Sequence, residues 1–123
     1  MVICLTGDGG FQFGLQDLAT AKQFSINLIT IVFNNSAYGN VRRDQETRYG
    51  GRVIGADLEN PDFPALATAY GVGAYQVTDV AGLRTSLKEA AAKSEPAVID
   101  FVLEKGSEVS PWPFIIRDAW ASG

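Results

Sequence analysis

The chain has 123 residues, 46% of them hydrophobic and 20% charged, which is typical of one soluble globular domain and excludes a disordered chain. Its net charge of −4 and its single pair of adjacent basic residues, Arg42 and Arg43, argue against a nucleic-acid-binding surface. It contains no histidine, which excludes a catalytic triad, zinc site or proton transfer that depends on an imidazole.

The first part of the chain has the pattern of a β-α-β unit. Residues 2–5 and 26–33 are apolar and rich in β-branched side chains, as in strands covered on both faces of a parallel sheet. Gly9 and Gly10 predict a tight turn into a helix between these strands. Cys4 is expected to be a buried structural thiol rather than a nucleophile. The apolar positions of that helix are Phe11, Leu15, Leu18 and Ala19.

The rest of the chain continues this alternation. A short helix over 40–45 and a long loop precede a helix that starts at Phe63 and is capped by Gly71. A strand over 74–77 follows, and Asp79 is the predicted N-cap of a helix that ends near residue 95. Residues 97–103 form the last strand. The predicted fold class is α/β, a three-layer αβα arrangement around a mostly parallel sheet of about four strands.

Asp8 and Asn35 follow the first two predicted strands directly. In an open parallel sheet, ligands bind at the carboxyl ends of the strands, so these side chains are expected to converge. The backbone amides of Gly9, Gly10 and Phe11 open the next helix and would favour an anion such as phosphate. The simplest explanation for a carboxylate beside a phosphate is a divalent cation between them, and oxygen donors favour magnesium or calcium over zinc.

Other interpretations of these residues stay open at this point. Asp8 alone is typical of a helix N-terminus, and Asn34-Asn35 alone is typical of a turn. A dinucleotide site of the Rossmann or flavodoxin-like type is weakened because Gln12 stands where the glycine-rich fingerprint needs its third glycine. The second strand also ends in Asn-Asn instead of an acid that would bind a ribose.

Gly7-Asp8-Gly9 followed by Asn34-Asn35 resembles the diphosphate-binding signature of thiamine-diphosphate-dependent enzymes. The stretch "NNSAYGNVRRDQETRYGGRVIGADLENPDFPALATAYGV" resembles the acetolactate synthase, pyruvate oxidase and benzoylformate decarboxylase group of that family. The resemblance extends over residues 2–103. It implies that the chain anchors the diphosphate of thiamine diphosphate through Mg²⁺, in an enzyme that decarboxylates or joins 2-oxo acids.

The resemblance also implies a set of site residues. The magnesium ligands would be the side chains of Asp8 and Asn35 and the backbone carbonyl of Ala37, with diphosphate oxygens and a water. No catalytic residue is assigned, because in this family a glutamate on a separate pyrimidine-binding domain activates the cofactor. The cofactor-binding residues would be Gly7, Asp8, Gly9, Gly10, Phe11, Asn35, Ala37, Tyr38 and Gly39.

The same resemblance sets expectations for the whole chain. Residues 1–123 would be the latter part of a diphosphate-binding domain, with residues 105–123 as a C-terminal arm. The partner would be a pyrimidine-binding domain of the parent enzyme or of a second subunit, and the isolated chain is expected to be inactive and to self-associate. A non-catalytic assembly module with this fold is the alternative. No apolar stretch could span a membrane and no signal peptide is visible, so a cytoplasmic protein is expected.

Overall fold

A computed structural model of the protein describes residues 1–107. The predicted arm over 105–123 therefore lies outside the described residues except for its first three positions. The elements are β1 (Val2–Gly7), α1 (Asp8–Gly14), α2 (Asp17–Gln23), β2 (Leu28–Asn34), α3 (Gly39–Arg48), α4 (Phe63–Ala69), β3 (Gly73–Val77), α5 (Val80–Lys93) and β4 (Ala97–Val102).

The strands form one four-stranded sheet in the order β1-β2-β4-β3. Every neighbouring pair is parallel, and Gly7 of β1 lies beside Phe33 of β2 while Asn34 lies beside Val102 of β4. The carboxyl ends of β1, β2 and β4 therefore meet at one edge of the sheet. This arrangement confirms the predicted α/β fold class with a parallel sheet of about four strands.

Two apolar cores lie on the opposite faces of the sheet. One contains Phe11, Phe63 and Val32, and the rings of Phe11 and Phe63 meet edge to face with their centroids 5.3 Å apart. The other core joins Ala90 of α5 to strand residues such as Ile99. Because α1, α2 and α4 pack on one face and α5 on the other, the three-layer architecture is confirmed.

Several helix and strand boundaries differ from the predicted ones. The predicted turn at Gly9-Gly10 is wrong, because both glycines lie inside α1, which begins at Asp8. The single helix predicted before β2 is two short helices, α1 and α2. Strand β2 begins at Leu28 instead of residue 26, because Ser25 adopts a positive φ of 49° and the amide of Ile26 bonds back to the carbonyl of Ala21. Helix α3 extends beyond the predicted 40–45.

The helix-capping predictions for the second half agree with the structure. The Asp79 carboxylate accepts a hydrogen bond from the amide of Gly82 at 2.7 Å and begins α5. Gly71, at a φ of 71°, follows the end of α4 in the left-handed conformation. Among residues 1–107, no helix has the length and apolarity to cross a membrane.

Strand β1 is far more exposed than its sequence predicts. Val2 and Leu5 are 60% and 65% exposed, and Cys4 is an exposed free thiol, so the expectation of a buried thiol is wrong. The reason is position: within residues 1–107, β1 is an edge strand that pairs only with β2. Residues that are typical of a strand covered on both faces thus form an apolar surface on the described part of the chain.

Candidate functional site

Asp8 stands at the junction of β1 and α1, at the carboxyl edge of the sheet, and its side chain is only 2% exposed. One carboxylate oxygen accepts a hydrogen bond from the amide of Gly9 at 2.9 Å, and the other accepts one from Asn60 Nδ2 at 2.6 Å. Both donors are neutral, and no cationic side chain of residues 1–107 forms an ion pair with Asp8. A buried carboxylate without a positive partner is costly, so this position suits a bound cation.

The loop after β2 presents two further oxygens. Ser36, at a φ of 55°, turns the chain out of β2, and Ala37 forms an isolated antiparallel bridge with Asp57. Neither the Asn35 side chain nor the buried Ala37 carbonyl has a hydrogen-bond partner within residues 1–107. Two of the oxygen donors predicted from the sequence thus remain available for another ligand.

The loop at 35–38 packs directly against the start of α1. A Cβ added to Gly9 would lie 2.3 Å from Tyr38 Cε1 and 3.2 Å from Leu58 Cδ1, so only glycine fits there. Gly7 differs, because a Cβ at that position would meet nothing within 4 Å. The close contact at Gly9 therefore joins the Asp8 segment to the segment that carries Asn35 and Ala37.

The remaining predicted residues lie at the same edge but contribute differently. The Phe11 side chain is buried in the core, so only its backbone amide could contact a ligand. Gly10 is exposed on the first turn of α1, and Gly39 is the first residue of α3, directly after Tyr38. The nine predicted cofactor-binding residues thus come from two segments, 7–11 and 35–39, that the fold places side by side.

Asn60 belongs to this site and was not predicted. Its Nδ2 donates both to Asp8 Oδ2 and, at 2.9 Å, to Asn34 Oδ1, while its own Oδ1 accepts from Gln12 Nε2 at 2.8 Å. Asn60 lies in the irregular segment before α4, far from Asp8 in sequence. The long loop was the only sequence signal, because an isolated asparagine before a proline is typical of a turn.

A second buried carboxylate, Asp100 on β4, is also 2% exposed and was not predicted. It accepts one hydrogen bond from Asn34 Nδ2 and one from Gln76 Nε2, each at 3.0 Å. Asn34 therefore contacts both Asp100 and Asn60, which places one continuous polar network beneath the carboxyl ends of the strands.

An exposed ion-pair cluster holds the outer side of the site. The Asp57 carboxylate binds the Arg42 guanidinium on α3 and the Lys105 ammonium, the latter at 3.1 Å. The hydrogen bond from Lys105, followed by the one from Arg42, lowers the pKa of Asp57, and Asp57 in turn raises the pKa of Arg42. Since Asp57 is bridged to Ala37, this cluster fixes the loop that carries two of the candidate ligands.

The donor set of the site decides which metals it fits. Among residues 1–107, no group of three or more His, Cys, Asp or Glu side chains could hold a metal ion. A cation at Asp8 would therefore depend on one carboxylate supplemented by amide and backbone oxygens and by oxygens of its own ligand. Such an all-oxygen set matches Mg²⁺ or Ca²⁺, and Mg²⁺ in particular is commonly held by one or two carboxylates together with substrate phosphates.

Sequence comparison identifies the family. The family described as "Thiamine pyrophosphate enzyme, C-terminal TPP binding domain" matches residues 1–101, so the chain belongs to this family. This confirms the resemblance based on the Gly-Asp-Gly and Asn-Asn motifs.

Individual relatives agree with this assignment. The chain is 35% identical over 113 residues to the probable acetolactate synthase large subunit of Methanococcus aeolicus, covering 91% of this chain and 19% of that protein. It is 38% identical over 104 residues to the corresponding protein of Methanocaldococcus jannaschii, covering 84% of this chain and 18% of that protein. The chain thus spans about a fifth of the length of these relatives.

A solved structure shows the same fold. Benzoylformate decarboxylase from Polynucleobacter necessarius superimposes with a TM-score of 0.79 at 32% identity, over 89% of this chain and 20% of that one. The described part of the chain therefore has the fold of the corresponding segment of that decarboxylase.

Proposed function

We propose that this chain anchors the diphosphate of thiamine diphosphate through Mg²⁺, within a longer enzyme that decarboxylates or joins 2-oxo acids. The observation that carries the proposal is the buried Asp8 carboxylate, which has only neutral donors around it and stands beside two unused oxygen donors. Family membership supports thiamine diphosphate as the ligand. The names of the relatives support the acetolactate synthase-like and decarboxylase classes of reaction.

Three oxygens would hold the cation. Asp8 would supply the charge, the Asn35 side chain a neutral oxygen, and Ala37 its backbone carbonyl. A single protein carboxylate leaves most of the charge on Mg²⁺ for the diphosphate, which is the usual way in which Mg²⁺ binds a phosphorylated ligand. The bound cofactor would supply the electron sink for decarboxylation, and this chain would supply its orientation.

The start of α1 would bind the diphosphate itself. The exposed Gly10 amide and the Phe11 amide lie in the first turn of the helix, where backbone N–H groups lack partners within the helix. At Gly9 the absence of a side chain keeps this turn in contact with Tyr38. Gly7 and Gly39 would lie at the margins of the same pocket. These assignments keep all nine predicted residues in the cofactor site.

The surroundings of the site support a partner domain. Strand β1 carries exposed apolar side chains, including Val2, Ile3 and Leu5, of the kind that another part of an enzyme would cover. We propose that the rest of the enzyme covers this surface and that a pyrimidine-binding domain, of the same polypeptide or of a second subunit, completes the cofactor site. The isolated chain would then self-associate and show no activity. The free thiol of Cys4 favours a reducing compartment such as the cytoplasm.

Calorimetric titration of thiamine diphosphate into the complete enzyme, with and without Mg²⁺, tests the proposal. Binding should require the metal, and Asp8→Ala should weaken it by about 100-fold or more, because the only anionic ligand from the protein is lost. Asp17→Ala is the matched control, since Asp17 occupies the first turn of α2 but is exposed. Binding that is independent of Mg²⁺, or equal affinity in the Asp8→Ala and Asp17→Ala variants, would refute the assignment.

A further inference from the structure

We propose that Asn60 is a positioning residue for Asp8, whose carboxylate it holds in the orientation that binds the cation. The inference rests on the proposed function, because it concerns the same cation. It assigns a role to a residue that lies outside both segments of the predicted site.

The double hydrogen bond of Asn60 carries this inference. One NH₂ group donates to Asp8 Oδ2 at 2.6 Å and to Asn34 Oδ1 at 2.9 Å. Asp8 follows β1 and Asn34 ends β2, so a single carboxamide bridges the carboxyl ends of two neighbouring strands. The position of the Asp8 carboxylate relative to the loop that follows Asn34 therefore depends on Asn60.

The direction of the Asn60 carboxamide is fixed from two sides. Gln12 Nε2 donates to its oxygen at 2.8 Å, which turns the NH₂ group towards Asp8. On the other side, Asn34 donates its own NH₂ to Asp100 and must therefore present its oxygen to Asn60. Because both oxygens of Asp100 accept hydrogen bonds, Asp100 sets the direction of this chain of carboxamides.

This arrangement orients Asp8 without neutralising it. A carboxamide donates a hydrogen bond but carries no net charge, so the carboxylate keeps its need for a positive partner. Groups that orient a metal ligand commonly change metal affinity by about 10- to 100-fold when they are removed, because the ligand then samples unproductive orientations. Loss of Asn60 should therefore weaken the binding of Mg²⁺ more than it weakens contacts that do not involve the metal.

A purely structural role for Asn60 makes a different prediction. If Asn60 only fixes the loop before α4, its loss should lower stability and leave the dependence on Mg²⁺ unchanged. The affinity for Mg²⁺ and the stability without metal must therefore be measured separately.

The experiment uses the complete enzyme with the same fixed excess of thiamine diphosphate for every variant and titrates Mg²⁺ by calorimetry. The urea midpoint of the metal-free protein is the second measurement. Asn60→Ala should raise the Kd for Mg²⁺ by about 10- to 100-fold. Gln12→Ala removes the hydrogen bond that orients Asn60 and should raise the Kd for Mg²⁺ by a smaller factor. If Asn60→Ala folds poorly, Gln12→Ala still tests the positioning role. Asp79→Ala removes the N-cap of α5, and should lower the urea midpoint without changing the Kd for Mg²⁺.

The outcomes separate this inference from the function on which it rests. If the unsubstituted enzyme binds thiamine diphosphate with Mg²⁺ and the Asn60→Ala and Gln12→Ala variants keep its Kd for Mg²⁺, the positioning role is wrong and the proposed function stands. If the unsubstituted enzyme shows no binding that depends on Mg²⁺, the proposed function fails and the inference fails with it. A raised Kd in both variants, with an unchanged Kd in Asp79→Ala, supports the positioning role.

Discussion

Asp8 and Asp100 are equally buried carboxylates at one edge of one sheet, yet their surroundings differ. Each is 2% exposed and each accepts hydrogen bonds from neutral groups alone. Asp100 lies within a strand and binds side chains of the two flanking strands, so its partners are all structural. Asp8 instead stands at a helix start that packs against a loop in which the Asn35 side chain and the Ala37 carbonyl have no hydrogen-bond partner within residues 1–107. A buried carboxylate alone thus does not indicate a binding site, whereas a buried carboxylate beside oxygens that lack hydrogen-bond partners does.

The largest expected change in stability comes from Asp100. Asp100→Leu would leave the donors of Asn34 and Gln76 without an acceptor in a buried place, at a cost of about 2–4 kcal/mol. Asp8→Ala should cost less in the metal-free protein, because Asn60 keeps its bond to Asn34. Urea unfolding of both variants without metal measures the difference. A greater loss of stability in Asp8→Ala would contradict the distinction between the two carboxylates.

A smaller effect is expected at Gly9, where the site depends on shape instead of charge. Gly9→Ala would bring a methyl group to 2.3 Å from the Tyr38 ring, and displacing the ring should cost about 1–3 kcal/mol. The displacement should also weaken cofactor binding, because Tyr38 follows Ala37 directly. Gly14→Ala is the control, since Gly14 ends the same helix outside the proposed site and a Cβ at that position meets nothing within 4 Å.

The double variant Gly9→Ala with Tyr38→Ala sharpens this test. Removing the ring should recover part of the stability that Gly9→Ala loses, because the clash is then absent. Thermal unfolding of the single and double variants gives the coupling between the two positions. Purely additive losses would mean that Tyr38 is not the group that excludes a side chain at residue 9.

The comparison of the two carboxylates also explains what could be predicted from the sequence. Asp8 and Asn35 were predictable because each directly follows an apolar strand, and parallel strands end at one edge. Asp100 was not, because its partners Asn34 and Gln76 depend on β4 lying between β2 and β3, an order that local patterns do not encode. Asn60 was not, because the path of the irregular segment before α4 brings it to Asp8 and Asn34, and no periodic pattern sets that path. The exposure of β1 was missed because an apolar, β-branched sequence indicates a strand suited to burial and does not indicate what covers it.

The smallest expected effect concerns Asp57, a carboxylate that is exposed and paired with cations, in contrast to Asp8 and Asp100. Its pKa lies below the ordinary 3.8, first because of Lys105 and then because of Arg42. Because folding lowers this pKa, the ion pairs of Asp57 stabilise the folded protein fully at pH values above the unfolded-state pKa. This stabilisation is lost as the pH falls through the folded-state pKa. Asp57→Asn should therefore slightly reduce stability near neutral pH and flatten the loss of stability in acid.

This effect should be small and should shrink further at high salt, because exposed ion pairs are screened. Urea midpoints between about pH 3 and about pH 6, at low and high salt, measure it. Asp17→Asn is the control, because Asp17 is exposed and lies outside this ion-pair cluster. An acid dependence at low salt that is the same in the unsubstituted protein and in Asp57→Asn would show that the ion pairs around Asp57 do not hold the loop at Ala37. The backbone bonds of that loop to residues 56 and 58 and the packing of Tyr38 against Gly9 would then hold it without the outer cluster, which would have no part in shaping the site.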